Sequence, residues 1–208
     1  MPKIGKSERT RAAILDAAFE LIWTQPFRDM TVNSLMESVD VSRSTFYQYF
    51  KDLHDLMENL LKALEEEVFA SCRPWFAHEG DPVALLHESL TGLVRVCYQR
   101  GPFLRAVADA AVTDERLEHA WRQFLDDFDN AIRDRIEADQ KQGLIPAFDA
   151  RPVAIALNRL NVYTLIEAFG QRPRRNSEAV REALVHIWTC STYGPTHLAS
   201  EDSGLNRI

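Results

Sequence analysis

The chain has 208 residues, 46% hydrophobic and 26% charged, the balance of a globular protein able to form one helical domain or two small ones sharing a core. No run of about 18 apolar residues occurs, which argues against a membrane-spanning helix, and the opening MPKIGKSERT has no apolar stretch behind its two Lys, unlike a secretory signal. The net charge of −7 argues against general coating of nucleic acid but leaves room for a local basic face.

The first eleven residues offer such a face: Lys3, Lys6, Arg9 and Arg11 stand against Glu8 alone. A first helix is predicted over residues 7–24, capped by Ser7, with Ile14, Leu15, Ala18, Phe19, Leu21 and Ile22 as its apolar stripe. Gln25-Pro26-Phe27 breaks it. Thr31 caps a second helix, in which Val32, Leu35, Met36 and Val39 share one face. Asp40 tolerates a left-handed turn, and Ser42 caps a third helix. Phe46 and Phe50 give that helix an apolar side, while Arg43, Ser44, Thr45, Tyr47, Gln48 and Tyr49 supply hydroxyls, an amide and a guanidinium on the rest. Two short helices at an angle, the second polar outside, form the helix-turn-helix pattern, which can lay its second helix in a DNA major groove; a plain helical hairpin has the same spacing.

Asp52 caps a fourth helix running through Leu56, Leu60, Leu64 and Val68 to about Cys72, with Pro74 as a break. Asp81-Pro82 opens a helix from Val83 to Gln99. Gly101-Pro102 is expected to end it and start a short helix, Phe103 to Ala111. Thr113 or Asp114 caps a long helix to about Lys141, closed by Gly143. In that helix Trp121, Phe124 and Phe128 fall on one stripe, and Arg135 reads as solvated. Arg151-Pro152 precedes a helix from Val153 to Phe169 that is apolar nearly all round and therefore covered on every side. Asn158 and Asn161 lie one turn apart in it, and buried amides need hydrogen-bond partners. A basic loop, 170–176, leads to a last helix from Ser177 to about Tyr193. The polar tail 196–208 reads as disordered. The whole is all-α, with about nine helices.

Thr31-Val32, Val41-Ser42, Thr45, Phe46-Tyr47, Tyr49-Phe50 and Leu56, with Leu35 at an Ile position, resemble the signature of TetR-family transcriptional repressors. Met36 replaces the usual Ala, Asp40 the turn Gly, and Leu53 a common Lys; the last removes a phosphate contact that Lys51 is placed to supply. The resemblance implies a helix-turn-helix domain over 1–52 and a ligand-binding and dimerisation domain over 53–195. It also implies a homodimer on a palindromic double-stranded DNA operator. Thr31, Ser42, Arg43, Ser44, Thr45, Tyr47, Tyr49 and Lys51 would meet the DNA, and Leu157, Val180, Leu184 and Ile187 the second copy. The segments NRLNVYTL, ALVHIW, AWRQF and STFYQYF are similar to a branch of the family that holds elongated apolar ligands in an aromatic tunnel with Asn handles. That implies a ligand site of Leu93, Cys97, Trp121, Phe124, Phe128, Asn158, Asn161 and Trp188, with Leu93 and Cys97 at Phe positions and Ile132 at a Thr position.

The expected function is a ligand-responsive repressor in the cytoplasm, released from DNA by a small hydrophobic ligand. An enzyme is disfavoured: G-x-G-x-x-G, G-x-S-x-G and H-E-x-x-H are absent, and His87, His119 and His186 read as packed. No metal or other cofactor is expected, since Glu65-Glu66-Glu67 and Asp126-Asp127 lack a suitably spaced His. Cys72, Cys97 and Cys190 read as reduced thiols. A ligand-sequestering protein without DNA binding is the alternative.

Overall fold

The computed structural model describes residues 5–77 and 80–194, which hold eight α-helices, one 3-10 turn and no strand. In order these are α1 (Lys6–Leu21), the 3-10 turn Phe27–Asp29, α2 (Val32–Val39), α3 (Arg43–Tyr49), α4 (Leu53–Phe76), α5 (Pro82–Ala110), α6 (Glu115–Lys141), α7 (Ala150–Phe169) and α8 (Ser177–Thr192). The expected disordered tail and Lys3 lie outside the described residues.

Helices α1 to α3 form a small head around Ile14, Ala18, Leu35, Phe46 and Phe50, all buried. Its caps follow local chemistry. Thr31 Oγ1 accepts the Ser34 N–H at 3.0 Å, and Ser34 Oγ accepts the Thr31 N–H at 3.1 Å. Asp40 takes the left-handed conformation, φ 51°, and turns the chain into Ser42, whose Oγ accepts the Thr45 N–H at 3.2 Å. The body is built on α5, packed against α4, α7 and α8, with α6 closing against α4 and α7.

Several helix ends differ from expectation. Helix α1 is capped by Gly5 rather than Ser7 and ends at Leu21; Asp149 and Asn176, rather than later residues, cap α7 and α8. Pro74 does not break α4, which continues to Phe76. On α5, Ser89 Oγ accepts the Trp75 N–H at 3.1 Å and donates to the Cys72 carbonyl at 3.2 Å, supporting the backbone beside the proline. Gly101-Pro102 does not divide α5 either, so the expected ninth helix merges into it. Pro102 has no N–H for the Tyr98 carbonyl, and Arg174 Nη1 donates there instead. Gly101 is required by close approach, because a Cβ at that position would lie 2.5 Å from the Phe169 carbonyl oxygen.

Candidate functional site

Two assemblies carry candidate chemistry. The first is the outer face of the head. Phe46 and Phe50 anchor α3 in the core, which turns Arg43, Ser44 and Tyr47 outward, with Thr45 and Tyr49 half-buried at its edge. Ser42 and Ser44 hydroxyls meet at 2.7 Å. Arg43 Nη2 donates to Tyr47 Oη at 3.2 Å, and its guanidinium lies 5.7 Å from that ring's centroid, so the pair is held side by side on the surface. Thr31 and Lys51 are exposed at either end of the turn motif. Of the eight sequence-predicted DNA-binding residues, Thr31, Ser42, Arg43, Ser44, Tyr47 and Lys51 are exposed and Thr45 and Tyr49 half-buried, and Gln48 is exposed on α3 as well.

The second assembly is an apolar cavity of about 70 Å³ inside the body. Leu93, Cys97, Phe124, Phe128, Asn158, Asn161 and Trp188 line it as the sequence suggested. Trp121 does not: two turns before Phe128 along α6, it is half-buried and stacks on Phe124, ring centroids 5.3 Å apart. Sequence reasoning missed Trp75 and Phe76. Leu64, Val68, Cys72 and Trp75 do continue one helical stripe, but a proline at position 74 reads locally as a helix end. Trp75 meets Trp188 edge-on at 5.6 Å, and Phe69 stacks on Phe128 at 4.3 Å beside the lining.

The two buried amides are each half committed. Asn158 Nδ2 donates to the Leu125 carbonyl at 3.0 Å and to Asp129 Oδ1 at 2.7 Å. Asn161 Oδ1 accepts Trp188 Nε1–H at 2.8 Å. Asn158 Oδ1 and Asn161 Nδ2 have no hydrogen bond among the described residues, and both side chains line the cavity. Asp129 is matched by the two terminal nitrogens, Nη1 and Nη2, of Arg159, each at 3.0 Å. Arg135, expected in solvent, is 3% exposed. Its Nε meets Asp139 Oδ2 at 3.0 Å, its Nη1 caps the Trp75 carbonyl near the end of α4, and Tyr193 Oη donates to the same Asp139 oxygen at 2.6 Å. Burial pushes the Cys72 thiol up to about 11 and the Cys97 thiol higher still, so both stay protonated in the wall.

Of the expected dimer residues, Leu157, Val180 and Leu184 are 5%, 8% and 1% exposed within one protomer, where they pack into the body; Ile187 alone of the four remains exposed. An apolar count along a helix does not say which face the protomer consumes. The outward face of α7 and α8 is instead Ala156, Tyr163, Ala179, Ala183 and Ile187.

Where the head meets the body, His54 and Asp114 are joined, and Arg116 reaches Asp52 at 2.9 Å and Glu58 at 2.5 Å. The Asp55 backbone N–H, aided by Arg116, holds the Asp52 carboxyl below its usual range. Among the described residues no His, Cys, Asp and Glu cluster fit to hold a metal occurs, and no helix is long and apolar enough to cross a membrane.

Comparison with known proteins agrees with this layout. The family described as bacterial regulatory proteins, tetR family, matches residues 14–60, and that described as transcriptional regulator EthR, C-terminal domain, matches residues 86–194. The HTH-type transcriptional regulator EthR of Mycobacterium tuberculosis is 26% identical over 186 residues, spanning 88% of this chain and 86% of that protein. The nucleoid occlusion factor SlmA of Marinobacter nauticus is 31% identical over 140 residues, 65% of this chain and 71% of that protein. Salmonella enterica GusR shares the fold with a TM-score of 0.74 at 19% identity, covering 92% of this chain and 99% of that one. The family models and the EthR match are to transcriptional regulators rather than enzymes, and the chain belongs to the TetR family of DNA-binding transcriptional regulators.

Proposed function

We propose that the protein is a ligand-responsive repressor that binds a palindromic operator in the cytoplasm as a homodimer and is released by a small, elongated, apolar and electrically neutral ligand. On this reading residues 1–52 are the DNA-binding domain and 53–195 the ligand-binding and dimerisation domain. The observation that carries it is the double role of α4. The helix starts at Leu53, directly after the outward-facing α3, and its far half supplies Leu64, Val68, Cys72, Trp75 and Phe76 to the cavity wall. A drug-sized ligand needs roughly 300–1,000 Å³. A cavity of about 70 Å³ admits one only by moving its walls, and α4 carries that movement to the head.

The polar handles define the ligand class. Asn158 Oδ1 is an acceptor and Asn161 Nδ2 a donor, one helical turn apart, a pair suited to an amide. The charges nearby are already matched, Asp129 by Arg159 and Asp139 by Arg135, so an ionised headgroup would enter without a counter-charge. For DNA, Arg43 is assigned to guanine and Ser44, Thr45 and Tyr47 to neighbouring base edges. Thr31, Ser42, Tyr49 and Lys51 are assigned to phosphates. The exposed Tyr163, Ala179, Ala183 and Ile187 face suits self-association about a two-fold axis.

A salt-controlled binding titration with DNA from upstream of the protein's own coding region tests the reading. Arg43→Ala is expected to weaken binding by about 1–3 kcal/mol. Tight ligand uptake by a protein that leaves this DNA unretarded at every salt concentration would favour the sequestering alternative.

A further inference from the structure

The loop of residues 170–176 between α7 and α8 carries three arginines, and each is engaged. Arg175 pairs with Glu167 at 2.7 Å. Arg174 donates to the Tyr98 carbonyl that Pro102 leaves without a helical partner, and its guanidinium lies 4.0 Å from the Tyr98 ring centroid. The same guanidinium is 5.0 Å from the centroid of Trp23, and that of Arg172 is 4.6 Å from it. Trp23 belongs to the head, in the turn that closes α1, where its N–H donates to the Glu20 carbonyl at 3.1 Å. One side of the loop is therefore locked to the body at α5 and the other is stacked on the head. Beside it, Arg100 of α5 lies 4.1 Å from the Phe19 centroid of α1.

We infer that Trp23, Arg172 and Arg174 are positioning residues for operator binding, a cation–π latch by which the α7–α8 loop fixes the angle of the DNA-binding head on the body. The inference rests on the operator-binding reading above. The head also meets the body at the start of α4 and where Phe19 of α1 packs on Phe103 and Arg100 of α5. Stacking of the loop on Trp23 adds an attachment at the far end of α1 and narrows the remaining swing before DNA is met, so less ordering is left to binding. The loop also joins α7, which lines the cavity, to α8, whose outward face is assigned to the second copy. Head angle is thereby tied to both. The arginines in this arrangement face an indole rather than phosphate, which separates the latch from ordinary electrostatic attraction to DNA.

The test uses the full chain with Trp23→Leu, Trp23→Phe, Arg172→Ala and Arg172→Lys; Arg174 is left intact because α5 needs it. Operator affinity is titrated across salt. Head motion is read by spin-label distances between Glu37→Cys on the head and Glu118→Cys on the body, in a Cys190→Ser background diluted with unlabelled protein. Trp23→Leu and Arg172→Ala are expected to weaken operator binding roughly three- to thirtyfold with an unchanged salt slope, and to broaden the distance distribution. Trp23→Phe and Arg172→Lys are expected to restore most of both. Unchanged distances and affinity in Trp23→Leu would overturn the latch. So would a fall of about one unit in salt slope for Arg172→Ala with Trp23→Leu silent, since Arg172 would then be a phosphate contact. If the wild-type chain binds no DNA, the operator reading fails and the distances still decide whether the latch holds the head.

Discussion

Glu65 shows how a single carboxyl responds to the seam it lies in. It faces Asp127 across α4 and α6, with Lys62 and Glu66 on its own helix, and burial together with the Asp127 carboxyl pushes it up to about 7. The folded state favours its protonated form, so its stabilising contribution is complete below the ordinary value of 4.5 and is lost as pH rises through about 7. Glu65→Gln is expected to raise the melting temperature at pH 8 by about 2–4 °C, about 1 kcal/mol after allowing for solvent screening, and to change little at pH 4. Melts from pH 4 to 8 check this, and parallel curves for the two proteins would count against it. Asp52 has the opposite sign: its lowered pKa gives stability that is lost as pH falls through the acid range. Cysteine behaviour follows from burial in the same way. Cys190 is partly exposed and is expected to react with a thiol reagent in the native protein, whereas Cys72 and Cys97 react only after unfolding.

The helices show which punctuation can be read locally. The caps at Thr31, Ser42, Asp52 and Asp81 and the left-handed Asp40 were legible because each depends on a side chain and the backbone within three or four residues. The two internal prolines were misread because their repair comes from elsewhere, Ser89 for the backbone beside Pro74 and Arg174 for Pro102. The crossing of α5 and α7 depends on the same region. Gly101→Ala would place a Cβ 2.5 Å from the Phe169 carbonyl oxygen and is expected to cost about 1–3 kcal/mol, read as a lower urea midpoint with unchanged slope. A neutral outcome would mean that α7 can withdraw freely.

Across the whole molecule, the buried Arg135–Asp139 pair joins the end of α4 to α6, and through Tyr193 to the end of α8. Arg135→Met would leave the buried Asp139 without its counter-charge and the Trp75 carbonyl without its donor. A loss of about 3–5 kcal/mol in chemical denaturation is expected, much of it recovered when Asp139 is also made Leu. At the next level of assembly, Ala183→Arg puts a long cation on the outward face of α8. Light scattering is expected to show the proposed dimer replaced by a monomer, with operator binding lost alongside it; a dimer of undiminished affinity would place the contact on another face.

The sequence by itself determined the helical class, the turn motif and the outward set from Ser42 to Lys51, since periodicity and capping are local and a three-helix head leaves α3 one apolar side to bury. It also placed most of the cavity residues, because their stripes keep one period along each helix. Only the tertiary structure decided that α4 and α5 run through their prolines, that Arg135 is buried, that Trp121 leaves the lining, and that Ala183 rather than Leu184 faces outward. Each of these depends on which neighbouring helix supplies a donor, a counter-charge or a covering surface. Those neighbours are distant in the chain, so no local spacing records them.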